Sequence, residues 1–181
     1  MTAIVDAECS VEDTLRRAQQ GDHEAFAAII SDYQGVVFGI AYNFFPDRAL
    51  AEEIAQDVFL QLYRNIAGIH SPSHLLYWLR QVTSRKCIDE MRRSGPRRVN
   101  LDDLDIAVTP RLIDPLIARR LRGLIAALPD MQRLILTLRY QEELGPADIG
   151  RIVGMPENTV KSYLHRALTA LRKEFGGDRE H

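Results

Sequence analysis

Apolar residues recur at helical spacing along nearly the whole chain, and alternating, strand-like runs are almost absent. Ser10-Val-Glu-Asp13 resembles a capping box with Asp in place of Glu and predicts the start of a short helix. Gly21-Asp22 restarts the chain. Asp22 can cap a helix running to Phe44, with Phe26, Ile29, Ile30, Tyr33, Val37, Ile40 and Ala41 on one stripe. Pro46-Asp47 breaks it. A third helix follows with Leu50, Ile54, Val58, Phe59, Leu62 and Ile66 on its apolar face, and Gly68 ends it. Ser71-Pro72 supplies a cap and a proline at the first helical position, opening a fourth helix that runs through Arg93. Four helices with short connections predict a compact bundle over residues 1–94.

The texture then changes. Ser94-Gly95-Pro96-Arg97-Arg98 breaks the helix, and Asn100 to Pro110 carries Asp102, Asp103 and Asp105 with little periodicity. Residues 95–112 therefore read as a flexible linker, acidic in its middle. Helical pattern resumes at Ile113, stops at Pro129-Asp130, and continues from Met131 to Glu142. Two short elements follow, Pro146–Val153 and Pro156–Phe175. The fold class is all-α: an N-terminal helical bundle and a C-terminal helix-turn-helix domain, residues 113–176, on either side of the linker.

In the C-terminal part, Pro146 opens a helix that buries Ile149, Ile152 and Val153. Gly154 sits where a left-handed C-cap is needed, and Met155-Pro156 turns the chain. The next helix buries Val160, Leu164, Ala167, Leu168 and Leu171. That leaves Glu157, Asn158, Lys161, Ser162, His165 and Arg166 on the opposite face. Hydrogen-bonding groups with net positive charge on an exposed helix face suit a major-groove reader. A helical hairpin with a solvated outer face is the plainer alternative. The short turn with its glycine, and the exposure of the helix's first turns, favour DNA binding.

Composition and charge sharpen this picture. With 46% hydrophobic and 27% charged residues the chain falls in the soluble globular class. The N-terminus lacks a basic start followed by an apolar core, and no apolar run approaches the roughly 20 residues of a membrane span. A cytoplasmic protein without membrane insertion is expected. Cys9 and Cys87 form no CxxC pair, so neither a disulfide framework nor a structural zinc site is expected. The net charge of −2 hides an asymmetry: residues 1–57 carry 11 acids against 3 bases, and the remainder carries 20 bases against 14 acids. An acidic front suits a protein partner and a basic remainder suits phosphates.

Two stretches together carry a family resemblance. Leu128-Pro-Asp-Met-Gln-Arg-Leu-Ile-Leu-Thr-Leu-Arg-Tyr140, with the hairpin and Thr159-Val-Lys-Ser-Tyr-Leu-His-Arg-Ala167, resembles the −35-binding domain of bacterial sigma factors. Upstream, Asp47-Arg-Ala-Leu-Ala-Glu-Glu-Ile-Ala-Gln-Asp-Val-Phe-Leu60 resembles that family's core-polymerase-binding helix, and Trp78 to Arg93 its −10-binding segment. Order, spacing and size are similar to the extracytoplasmic-function class of the sigma-70 family, over residues 20–93 and 113–175. The resemblance implies partners: core RNA polymerase, promoter DNA and, for many members, an anti-sigma protein. It implies Glu52, Glu53, Gln56, Asp57 and Phe59 at the polymerase interface, with Phe59 equally readable as core. It implies Trp78, Thr83, Ser84, Arg85 and Lys86 at the −10 strand, with Arg92 and Arg93 on phosphates. Trp78 is either core or a platform for an unstacked base. The chain departs from the common pattern at Ser84 and Arg85, where relatives often carry arginine and asparagine, so −10 base identity stays open. At −35 it implies Asn158, Lys161, Ser162, His165 and Arg166. The acidic linker would thread toward the polymerase active site.

Other classes fit less well. A classical dimeric regulator needs a ligand or phosphoacceptor domain, and the bundle offers neither a Gly-rich loop nor a parallel-sheet pattern. An enzyme needs a site. His70 and His74 have metal-like spacing but flank Pro72, neighbouring Asp89 and Glu90 point about 100° apart on a helix, and no nucleophile motif surrounds a serine or cysteine. No catalytic residue, metal or cofactor is expected. Cys87 lies in the apolar part of the fourth helix and reads as core.

Overall fold

The computed structural model describes residues 2–94 and 115–176, so the linker with Arg97 and Arg98 lies outside the described residues. Helix α1 spans Thr2–Gln19, α2 His23–Phe44, α3 Arg48–Asn65 and α4 Pro72–Ser94, with one turn of 3-10 helix at Ile66–Gly68. In the C-terminal part α5 spans Pro115–Ala126, α6 Asp130–Tyr140, α7 Pro146–Val153 and α8 Glu157–Gly176. Every described element is helical.

The boundaries follow local chemistry. Asp22 caps α2 as its spacing predicts, its carboxylate accepting the N–H groups of Glu24 and Ala25 at 2.9 and 3.1 Å. Those bonds, with Arg17 beside it, hold the Asp22 carboxyl below its ordinary pKa. Asp47 caps α3 through the Leu50 N–H, and Ser71 Oγ accepts the His74 N–H at the start of α4. One start differs from expectation. Ser10 lies inside α1 rather than opening it, because Thr2 to Cys9 holds no glycine or proline to stop a helix from extending N-terminally.

By length and composition α2 is apolar enough to cross a membrane. Here it is a core helix, packed against α1, α3, α4 and α6, with Ile29, Val37, Ile40 and Phe44 almost fully buried. Its remaining apolar side chains, Phe26, Ile30 and Phe38 among them, are only partly buried and pack against this core.

The two halves do not sit apart. One continuous cluster of buried side chains runs from Leu15 through α2–α4 into Leu134, Ile135, Leu138, Ile149 and Val160. Helix α6 lies on α2, and α7 lies on α4. Polar contacts complete this junction. Arg133, only 4% exposed, donates to the Phe44 carbonyl that ends α2 (2.8 Å), to the Ala126 carbonyl that ends α5 (2.7 Å), and to Leu128 and Asp130. Arg80 of α4 forms an ion pair at 2.8 Å with Glu142, whose side chain is 6% exposed. Asn43 bonds to Gln141.

Candidate nucleic-acid and polymerase interfaces

The helix-turn-helix forms as its sequence predicts. Gly154 takes φ 72°, ψ 37°, the left-handed C-cap of α7, and its N–H returns to the Gly150 carbonyl. Gly150 is needed for a different reason. A Cβ there would stand 2.5 Å from the Met155 carbonyl oxygen, so only glycine lets the turn close onto α7. Ile149, Ile152, Val160, Leu164 and Ala167 are buried between the two helices and the rest of the core.

That packing turns one face of α8 outward. Asn158, Lys161, Ser162, His165 and Arg166 are all exposed, and at 100° per residue they lie within an arc of about 140°. Lys161 pairs with Glu157 at 2.6 Å, both half-exposed. Such a pair is weak, so Lys161 can exchange it for a phosphate or base edge. Ser162 Oγ donates back to the Asn158 carbonyl at 2.9 Å.

Helix α4 presents its predicted residues unevenly. Arg85, Arg92 and Arg93 are exposed and Trp78 is half-buried against the core. Arg92 lies 3.8 Å from Asp89, and Arg93 pairs with Glu90. Lys86 is bound to Asp57 of α3 at 2.8 Å, joining a residue expected at DNA to one expected at polymerase. Thr83 and Ser84 are fully buried. Thr83 Oγ1 donates to the Leu79 carbonyl at 2.7 Å, while Ser84 Oγ has no hydrogen-bond partner. Burial pushes the Cys87 thiol well above its ordinary pKa, as suits a core cysteine.

The five residues expected at polymerase divide between two faces of α3. Glu52, Gln56 and Phe59 line an open groove of about 880 Å³ between α2 and α3. Glu53 and Asp57 line a smaller cleft against α4, with Lys86, Asp89, Glu90 and Arg93. Phe59 is 8% exposed yet forms part of the groove wall, so it serves core and groove together. The groove's apolar lining includes Phe26, Ile30, Phe38, Leu60 and Tyr63. Leu60 and Tyr63 are 56% and 51% exposed, and Tyr63 meets Phe26 edge-on at 5.2 Å between centroids. Sequence reasoning missed these two. The available signal was an apolar pair at i, i+3, off the core stripe of α3 and about one and two turns C-terminal to Gln56.

Among the described residues no cluster of three or more His, Cys, Asp or Glu side chains could hold a metal ion. His70 and His74 stack on each other, and the His70 N–H donates to His74 Nδ1, which makes them part of the helix start.

Comparison with known proteins matches residues 29–97 to sigma-70 region 2 and residues 118–171 to sigma-70 region 4. The chain is 32% identical over 188 residues to the ECF RNA polymerase sigma factor SigK of Mycolicibacterium vanbaalenii, covering 97% of this chain and 91% of that protein. It is 28% identical to the ECF RNA polymerase sigma factor SigW of Bacillus subtilis, covering 93% and 98%. Among solved structures, CnrH in complex with the cytosolic domain of CnrY superposes with a TM-score of 0.66 at 15% identity, covering 92% of this chain and 97% of that one. The sigma factor RpoE in complex with the anti-sigma factor NepR from Bartonella quintana gives 0.65 at 21% identity, covering 85% and 98%.

Proposed function

The chain belongs to the extracytoplasmic-function class of the sigma-70 family, non-enzymatic DNA-binding factors of transcription initiation, and on that footing we propose how it divides the work of initiation. Core RNA polymerase docks on the α2–α3 groove, where an apolar floor is rimmed by Arg48, Glu52 and Gln56. Helix α8 enters the major groove of the −35 duplex, with Lys161 and Arg166 on guanine edges or phosphates and Asn158, Ser162 and His165 beside them. Helix α4 serves the −10 strand. There Arg85, Arg92 and Arg93 take phosphates, and Trp78 supports an unstacked base. The protein acts in the cytoplasm, where polymerase is, and an anti-sigma partner would silence it by covering the groove.

One observation carries this reading: five polar or basic side chains exposed together on α8, on a hairpin that two structurally required glycines hold in shape. The near-neutral overall charge supports a factor that binds DNA weakly alone and gains affinity on polymerase. The test is run-off transcription by core polymerase on a pooled promoter library, with and without the protein. Specific initiation should appear only with the protein and disappear with Lys161→Ala plus Arg166→Ala. Initiation that the protein does not redirect, together with tight binding of the protein alone to a palindromic operator, overturns the proposal.

A further inference from the structure

The exposed face of α8 is divided into a row and two flanks. At i, i+4, i+7 and i+11, Asn158, Ser162, His165 and Thr169 are all exposed, and at 100° per residue they fall within an arc of about 60°. No ammonium, guanidinium or carboxylate stands in this row. Lys161 and Arg166 lie about 70° to either side of its midline. A major groove about 12 Å wide admits a helix of roughly that diameter. A helix seated there turns its midline to the base edges and its flanks to the two phosphate walls. Short side chains on the midline, such as Asn158 and Ser162, let the helix approach the groove floor. Long cationic chains on the flanks reach the walls. On this geometry the cations supply affinity that is blind to sequence, and the row supplies the readout.

One hydrogen bond narrows what the row can read. Ser162 Oγ lies 2.9 Å from the Asn158 carbonyl oxygen. A carbonyl has no hydrogen to give, so the hydroxyl proton lies in that bond and Ser162 offers the groove only its lone pairs. In the major groove those lone pairs match a base amino group, N6 of adenine or N4 of cytosine. Asn158, one turn earlier, carries both a donor and an acceptor on its side chain, the pattern that pairs bidentately with adenine N6 and N7. The two residues are about 6 Å apart along the helix axis, or roughly two base-pair steps at 3.4 Å each.

We propose that Asn158 and Ser162 set −35 specificity, selecting an adenine and, within about two base pairs of it, a second base that presents an amino group, while Lys161 and Arg166 hold phosphates on opposite walls of the groove. This rests on the function proposed above and assigns its two cations to phosphates rather than guanine edges.

The test uses the full chain reconstituted with core polymerase on promoters randomised across the −35 element, each barcoded in its run-off transcript. Asn158→Ala should cut the adenine preference at one position about tenfold. It keeps the backbone carbonyl that Ser162 uses, and alanine favours the helix, so α8 should remain folded. Asn158→Asp, which can only accept, should move the preference at that position from adenine to cytosine. Ser162→Ala should flatten the preference for adenine and cytosine at the neighbouring position. Lys161→Ala and Arg166→Ala should lower transcription from all promoters alike, and each should reduce the slope of log affinity against log salt by about 0.9. An active parent whose Asn158→Ala variant keeps every base preference within twofold overturns the reading assigned to this row. So does a Lys161→Ala or Arg166→Ala variant whose loss is confined to promoters with guanine at one position. A parent that never redirects initiation overturns the proposed function and this inference with it.

Discussion

If polymerase docks on the α2–α3 groove, truncating the two most exposed apolar side chains in it should weaken docking by a calculable amount. Leu60 and Tyr63 are 56% and 51% exposed in the free protein. Full burial of a large apolar side chain is worth about 1.5–3 kcal/mol, and roughly half of that remains to be gained here. Each side chain thus supplies about 1 kcal/mol on docking, and the pair about 2 kcal/mol. Leu60→Ala plus Tyr63→Ala should therefore raise the Kd for core polymerase about 30-fold. The assay is equilibrium titration of fluorescently labelled protein with core polymerase. The buried half of each side chain also contributes to folding, so thermal unfolding must show the double variant still folded at the assay temperature. Glu53→Ala, on the other face of α3, should change the Kd by less than Gln56→Ala. A folded double variant that binds within twofold of the parent would refute docking through the groove.

Two further predictions concern the scaffold. Arg133→Met keeps the aliphatic stem but leaves the Phe44, Ala126 and Leu128 carbonyls without its guanidinium. At about 1–3 kcal/mol per orphaned buried acceptor, part of it recovered by water, the loss should be about 3 kcal/mol in urea unfolding. A value under about 0.5 kcal/mol would contradict the role assigned to this side chain. Two glycine-to-alanine changes should have opposite signs. Gly150→Ala drives a Cβ to 2.5 Å from the Met155 carbonyl and should lower the unfolding midpoint and weaken DNA binding, whereas Gly35→Ala meets nothing within 4 Å and should stabilise α2 by about 0.5–1 kcal/mol.

Those two glycines also mark how far one sequence reaches. Helix ends and the hairpin were legible because their causes are local. Asp22, Ser71 and Gly154 each act within a few residues, and the structure uses each at the predicted place, while Asp47, read in the sequence only as a break, caps α3. The outward face of α8 was legible for the same reason, since a single apolar stripe fixes what lies opposite. Where a helix has two partners the argument weakens. In α4 one apolar stripe explains Leu75, Leu79 and Val82, but burial of Ser84 needs a second neighbour that periodicity does not reveal. In α3 the core stripe correctly contains Val58 and Leu62. Its rule of assigning remaining positions to solvent then hides that Leu60 and Tyr63 form one apolar wall with Phe26 of α2. The junction was least legible of all. Arg80 and Glu142 are 62 residues apart, and Arg133 reads as an ordinary surface cation until the helix ends it satisfies are brought to it. A flexible tether predicts independence of the halves, yet whether they associate is decided by the surfaces at either end of it. In this chain those surfaces carry the largely buried Arg80–Glu142 ion pair. Polar groups of that kind specify a contact more than they strengthen it.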